Sequence, residues 1–159
     1  MFFYPQKHET IISGLACDII SERLRKYVFI IDPGRPQKTP FDYPFNGMQF
    51  DDEWRLSLTT SKGNNFLPIA HFRMEPANAN CLAQVTYRLF PSTRRSLVIW
   101  SSLSLFTCLF FILLHREWFY GTLCLAIGFV NYILTRENFR IQVGETSRAL
   151  HRYLINGTQ

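Results

Sequence analysis

Two long uncharged runs dominate the hydrophobic pattern of this chain. Residues 97–114 and 118–134 contain eighteen and seventeen residues without a charged side chain. At about 1.5 Å per residue, a helix of this length nearly crosses a hydrocarbon core of about 30 Å. Only residues 115–117, His-Arg-Glu, separate the runs, and so short a connection joins two antiparallel helices. The pattern therefore predicts a transmembrane helical hairpin over residues 96–135.

A pair of buried helices in a soluble core is the alternative interpretation. The chain has 159 residues, and few would remain to cover two helices that are apolar on every side. Aromatic residues favour the membrane, because Trp and Tyr concentrate at both faces of a bilayer. They occur at one end of the runs as Trp100 and Tyr132 and at the other end as Trp118 and Tyr120.

The segment before the hairpin has shorter hydrophobic patterns, which are typical of an amphipathic helix and of strands. Residues 13–28 place apolar positions on one helical face, after a brief strand. Four further runs have strand character, at residues 47–50, 54–58, 66–74 and 81–90. The fold class is therefore predicted as α+β: a small cytoplasmic antiparallel β-meander with flanking helices over residues 1–95, plus the two-helix hairpin. Pro68 predicts that its strand lies at a sheet edge or begins with a bulge.

Residues 136–159 are predicted to form a strand and an amphipathic helix. Residues 138–143 alternate apolar and polar side chains, and residues 145–155 have helical periodicity. We expect this tail to pack back on the cytoplasmic domain, with membrane attachment of the last helix as the alternative. Residues 32–44 contain four prolines and predict a structured connector, with a proline-rich ligand for a partner as the alternative.

Arginines around the hairpin predict its orientation, because basic residues concentrate on the cytoplasmic side of a membrane. The connecting turn has only Arg116, which is offset by Glu117. The other ends of the two runs are flanked by Arg88, Arg94, Arg95, Arg136 and Arg140. Both termini are therefore predicted to be cytoplasmic in a multi-pass membrane protein.

The net charge of +5 does not favour nucleic acid as a partner, because topology and anionic lipid head groups account for the arginines near the runs. The lipid bilayer is the partner that the sequence supports. The predicted membrane-interface anchors are Arg94, Arg95, Trp100, Trp118, Tyr120, Tyr132 and Arg136.

Small and polar residues within the hairpin fall on single helical faces. Spans in lipid meet through such residues, since lipid provides no hydrophobic drive for helix association. These faces predict a helix–helix seam, and a polar pathway or an oligomer contact is the alternative. The seam residues are Ser101, Ser104 and Cys108 on the first run, and Gly121, Cys124, Gly128 and Asn131 on the second.

The four cysteines show no C-x-x-C spacing. Cys108 and Cys124 lie in the uncharged runs, Cys17 on the predicted helix and Cys81 on a predicted strand. A cytoplasmic protein keeps its thiols reduced. The sequence therefore predicts free, mostly buried thiols.

The sequence contains none of the motifs that identify common enzymes. It has no metalloprotease histidine pair, no Gly-rich phosphate loop and no G-x-S-x-G elbow. We therefore expect no enzyme activity, no cofactor and no metal. The weak ligand candidates are the carboxylates Asp51 and Asp52 and the strand residues His71 and Arg73, which are otherwise a solvated turn and half-exposed sheet residues.

Aromatic, glycine and proline positions follow a definite order in residues 45–68: Phe45, Gly47, Phe50, Trp-Arg-Leu-Ser at 54–57 and Asn-Phe-Leu-Pro at 65–68. With the leading helix, meander, hairpin and closing helix, this order resembles a group of small uncharacterised bacterial membrane proteins. That group often has a glycine near the place held here by Phe72. The resemblance implies the architecture and a bacterial inner membrane, and it implies no activity.

Two functions follow from these observations. The leading hypothesis is a non-enzymatic, membrane-anchored interaction protein, whose cytoplasmic domain binds a protein partner or a small ligand at the inner membrane. The alternative, motivated by the polar seam faces, is an oligomeric membrane-disrupting effector, or a membrane immunity protein in a toxin or defence system.

Overall fold

The structure is a computed structural model that describes residues 4–31, 42–50, 53–60, 64, 66–77 and 80–156. Its α+β architecture confirms the predicted fold class. The strands are β1 (Gln6–Ser13), β2 (Val28–Ile30), β3 (Phe45–Phe50), β4 (Glu53–Leu58), β5 (Pro68–Ala77) and β6 (Asn80–Leu89). The helices are α1 (Cys17–Tyr27), α2 (Pro91–Leu113) and α3 (Trp118–Leu150), and a π-helical segment (His151–Asn156) continues α3. Most of the predicted proline-rich connector lies outside the described residues.

Six strands form one mixed sheet in the order β1-β6-β5-β4-β3-β2. Strands β3 to β6 are the predicted antiparallel meander, and β1 pairs antiparallel with β6. Strand β2 pairs parallel with β3 over three residues. So short a strand, starting directly after α1, has no periodic pattern of its own, and the sequence did not predict it.

One face of the sheet is covered by helices. Alternate residues of β6, such as Val85 and Tyr87, point into the core, where α1 contributes Ile20 and Leu24. The end of α3 and the π-helical segment complete this layer with Phe139, Val143, Leu150 and Leu154. The opposite face, called the open face here, presents exposed side chains that include Arg55, Arg73 and Arg88. The sheet therefore has one structural face and one face available for binding.

The strand predicted at residues 138–143 is wrong, because α3 continues through it to Leu150. Phe139 and Val143, four residues apart, are buried against the sheet, whereas Ile141 between them is 54% exposed. Six alternating residues fit both periods, and packing on the sheet selects the helix. The end of the tail contacts α1, where Arg23 donates hydrogen bonds to the backbone oxygens of Leu154 (2.9 Å) and Ile155 (3.1 Å).

Pro68 does not mark a sheet edge, which was one of its two predicted positions. It is the first residue of β5, which lies between β4 and β6. The first position of a strand tolerates the missing backbone N–H of proline. An interior strand can therefore begin at this residue.

The prediction of four free thiols is also wrong, since Cys17 and Cys81 form a disulfide bond. Ser13 at the end of β1 pairs with Cys81 at the start of β6, and α1 begins four residues later at Cys17. The two cysteines are 64 residues apart in sequence, so only the strand register brings them together. Cys108 and Cys124 are free.

Helices α2 and α3 are long and apolar enough to span a membrane. In the most apolar part of each helix only 11% of the residues are buried, and the exposed apolar side chains include Phe106, Leu113 and Phe129. A core helix of a soluble protein would bury such side chains. Arg116 makes the turn between the helices with a positive φ of 52°, and the Glu117 N–H donates to the Phe111 oxygen at 3.0 Å.

Candidate binding site on the open face of the sheet

Strand register aligns polar side chains in rows across the open face. Arg55 on β4 faces His71 on β5, His71 faces Thr86 on β6, and Thr86 faces His8 on β1. His8 Nδ1 and Thr86 Oγ1 are hydrogen-bonded at 2.9 Å. The next row, nearer to the start of α2, consists of Ile69, Arg88 and Gln6.

A cavity of about 420 Å³ lies between these rows and the first turn of α2. It is called the cationic cavity here, and its main lining residues are Tyr4, Arg55, Ile69, His71, Arg88 and Arg94. The described residues that line it include no Asp or Glu. Three guanidinium groups from β4, β6 and α2 therefore converge on one space.

Glu53 holds two of the lining side chains in place from outside the cavity. Its Oε1 accepts hydrogen bonds from His71 Nδ1 at 2.5 Å and from Arg55 Nε at 3.1 Å. The hydrogen bond from His71 lowers the pKa of Glu53 below its usual value, and it outweighs the opposing effect of burial. Since the ionised carboxylate only accepts, Nδ1 of His71 carries the hydrogen, and Nε2 is left for a ligand.

Arg88 and Arg94 keep their charge uncompensated within the described residues, where no carboxylate lies within ion-pair distance of either. The Arg94 guanidinium lies over the Tyr4 ring, 3.8 Å from its centroid. Such stacking orients a guanidinium without neutralising it. The cavity therefore has a net positive potential and prefers an anion.

A second cavity of about 540 Å³ adjoins the first and shares Arg55 and Ile69 with it. It is called the apolar cavity here, after the side chains Met48, Phe50, Leu58, Leu67, Ile69 and Phe90 in its lining. Arg55 stands at the boundary, with its guanidinium 4.4 Å from the centroid of the Phe50 ring. The open face thus combines a cationic and an apolar compartment.

No family model, curated protein or solved structure matches the chain. The resemblance to small bacterial membrane proteins therefore remains a prediction.

Most of the predicted seam residues meet between α2 and α3. Ser104 Oγ donates to the Cys124 oxygen at 2.6 Å, and Cys108 is buried. A Cβ added at Gly128 would overlap Ser104, and one added at Gly121 would lie 2.5 Å from Ile112. Ser101 and Asn131 are half-buried, and Asn131 lines a groove of about 310 Å³ at the domain end of the hairpin.

The predicted interface anchors lie at the two ends of the hairpin. Trp118 and Tyr120 are exposed near the turn, and Trp100 is exposed near the domain, where Tyr132 is half-buried. The arginines Arg94, Arg95 and Arg136 are exposed at the domain end. Of these arginines, Arg94 also lines the cationic cavity.

Of the two weak ligand candidates that the structure describes, His71 lines the cationic cavity, whereas Arg73 lies one row further from α2 and is 4.0 Å from Glu75. Asp51 and Asp52 lie outside the described residues. Within the described part of the chain, no group of three or more His, Cys, Asp or Glu could hold a metal ion.

Neither Arg55 nor Arg88 was predicted from the sequence as a binding residue. The alternation of apolar and polar residues in β6 placed Arg88 on the same face as Thr86. This pattern was a signal by which Arg88 could have been assigned to the open face. Their convergence with Arg94 depends on strand register and on the direction in which α2 leaves the sheet. Neither of these is encoded in local spacing.

A second polar cluster lies on the covered face, where the Glu9 carboxylate accepts hydrogen bonds from Tyr87, Ser147 and His151. These hydrogen bonds join β1, β6, the end of α3 and the π-helical segment.

Proposed function

We propose that this protein is a non-enzymatic, membrane-anchored binding protein. Its hairpin holds the domain at a bilayer, and the open face of the sheet binds a small ligand or a protein partner there. The proposal is carried by the cationic cavity, which three arginines from three elements line beside the start of α2.

The position of the cavity supports binding at a membrane surface. Arg94 is three residues before Leu97, where the uncharged run of α2 starts. Three residues of helix rise about 4.5 Å. When α2 crosses a bilayer, the cavity therefore lies at the level of the lipid head groups.

The arginine distribution favours the cytoplasmic side of a bacterial inner membrane for the domain and both termini. The Cys17–Cys81 disulfide is more typical of an oxidising compartment. We favour the arginines, because basic residues beside the membrane-spanning helices determine the orientation of those helices during insertion.

The oligomeric effector, which was the alternative from the sequence, gains no support from the seam. Ser104 bonds to Cys124, and Gly128 packs on Ser104, within one hairpin. The polar faces that motivated a pore are thus engaged with each other.

Photo-crosslinking from the open face tests the proposed function. Benzoylphenylalanine at Ile69, between the two cavities, should give an adduct of defined mass when membranes of the native host are irradiated. The same group at Arg25, which is exposed on α1, is the matched control and should give none. No adduct at Ile69, or equal adducts at both positions, would contradict a binding role for the open face.

A further inference from the structure

We infer that the open face binds an anionic phospholipid, with the phosphate in the cationic cavity and part of an acyl chain in the apolar cavity. This inference rests on the proposed function, since it identifies the ligand class of the same face.

The lining of the cationic cavity fits a phosphate group. Arginine forms paired, charge-assisted hydrogen bonds with phosphate oxygens. Arg88 and Arg94 present guanidinium groups that no described carboxylate neutralises. A carboxylate-free lining of this kind repels cations and leaves an anion as the preferred occupant.

The adjoining apolar cavity separates a lipid from a free phosphate. Its volume is about 540 Å³, and its walls include the apolar side chains Met48, Phe50 and Phe90. Phe50 is 45% exposed, so this surface would remain in water if only an ion were bound. A lipid whose phosphate lies beside Arg55 in the cationic cavity and whose acyl chain covers Phe50 would occupy both cavities.

The start of α2 lies beside both cavities and gives a lipid a route into them. Phe90, which lines the apolar cavity, directly precedes Pro91, where α2 begins and which lines the cationic cavity. Both cavities therefore open beside the point where the chain enters the bilayer. A phospholipid needs only a short displacement from its leaflet to reach them.

Lipid retention tests the inference on the full-length protein. The protein is reconstituted in vesicles of phosphatidylcholine and phosphatidylglycerol, extracted in mild detergent, and examined by native mass spectrometry for bound lipid. We expect the wild type to retain phosphatidylglycerol over phosphatidylcholine. Arg88→Gln and Arg94→Gln should each lower this retention about tenfold, because a charge-assisted hydrogen bond is lost.

Two substitutions control for general surface charge. Arg95→Gln removes a charge from the same turn of α2, and Arg73→Gln removes one from the same face of the sheet, but neither side chain lines the cavity. Both variants should retain lipid like the wild type. A loss as large in Arg95→Gln as in Arg94→Gln would overturn the inference in favour of non-specific attraction. Equal thermal unfolding midpoints of all variants establish that each is folded.

A third substitution and a competitor separate the two sources of phosphate. Ser57→Phe places a ring in the apolar cavity without removing a charge, and it should reduce lipid retention. Excess inorganic phosphate should not displace the lipid. Full displacement by inorganic phosphate, or unchanged retention in Ser57→Phe, would overturn the lipid assignment and leave a site for the ion alone.

The crosslinking experiment distinguishes failure of this inference from failure of the proposed function. An adduct at Ile69 with a mass other than that of a lipid, together with no lipid preference, refutes the lipid and keeps the binding role. Absence of any adduct at Ile69 refutes the binding role itself.

Discussion

The Glu9 carboxylate connects the two ends of the folded domain. It accepts hydrogen bonds from Tyr87 Oη at 3.1 Å, Ser147 Oγ at 2.9 Å and His151 Nε2 at 3.2 Å. Burial alone would raise the pKa of Glu9, but the hydrogen bonds from His151, Ser147 and Tyr87 together lower it. Burial raises the pKa of Tyr87. At neutral pH a charged carboxylate therefore joins β1, β6 and the end of α3.

Replacing Glu9 with Gln should reduce the free energy of unfolding by about 1–3 kcal/mol at neutral pH, because charge-assisted hydrogen bonds are lost. A carboxyl group with a lowered folded pKa stabilises fully above its ordinary value of 4.5 and loses that stabilisation as the pH falls through the folded pKa. The difference between wild type and Glu9→Gln should therefore shrink below pH 4.5. Denaturant unfolding, followed by the fluorescence of buried Trp54, measures both effects.

Glu75→Gln is the matched control, because Glu75 is half-exposed and lies 4.0 Å from Arg73. It should leave both the stability and its pH dependence unchanged. An equal loss in the two variants, or a Glu9→Gln deficit that persists in acid, would refute the role assigned to Glu9.

At the scale of elements, the local hydrophobic pattern predicted the helical hairpin and the β-meander. The hairpin was predicted from two uncharged runs, and the meander was predicted from the alternation of apolar and polar residues between turns. The strand predicted at residues 138–143 was wrong, because Phe139 and Val143 are spaced for a strand as well as for a helix and only packing on the sheet selects the helix. Strand β2 is paired over three residues, which is too short to leave a pattern.

Gly128→Leu should separate α2 from α3, because the added side chain would overlap Ser104. Overfilling a close contact of this kind costs about 1–3 kcal/mol. The expected result is a lower thermal unfolding midpoint in detergent. Ala126→Leu, two residues earlier on an exposed face of α3, is the control and should have no such effect. Equal midpoints in the two variants would show that the helices do not meet at Gly128.

At the scale of the whole molecule, the Cys17–Cys81 disulfide closes a loop that spans 64 residues. In the chain-entropy description, a disulfide that closes a loop of this length lowers the entropy of the unfolded chain and so stabilises the fold by about 4 kcal/mol. Reductant should therefore lower the unfolding free energy of the wild type and leave Cys17→Ser unaffected. If reductant changes neither protein, the two sulfurs are not bonded in solution.

The proposed orientation places Arg116 on the side of the membrane opposite to the termini. Arg116→Cys, in a chain with Cys108 and Cys124 replaced by Ala, should react with a membrane-impermeant maleimide added to intact cells. Reaction only after permeabilisation would place the domain outside the cytoplasm. That result would also account for the disulfide.

The binding site was predictable only in fragments. His71 was singled out on its strand and Arg94 as an interface anchor, but their meeting with Arg55 depends on the pairing of three strands, β4, β5 and β6. The disulfide was hidden for the same reason, since Ser13 and Cys81 become neighbours only through the β1–β6 register. The spacing of residues in the sequence predicts on which face of a helix or strand a side chain lies. Long-range strand pairing determines which of these faces come together, and the spacing does not reveal that pairing.

Helix α3 runs for 33 residues without interruption, which makes a rod roughly 50 Å long. One end is apolar enough to cross a membrane, and the other end is locked into the core by Val143 and Leu150. A helix in a thinner bilayer tilts to keep its apolar length covered. Because no hinge intervenes between the two ends of α3, such a tilt in the proposed membrane-anchored state would move the whole sheet. Bilayer thickness would then set the distance between the arginine-lined cavity and the lipid surface.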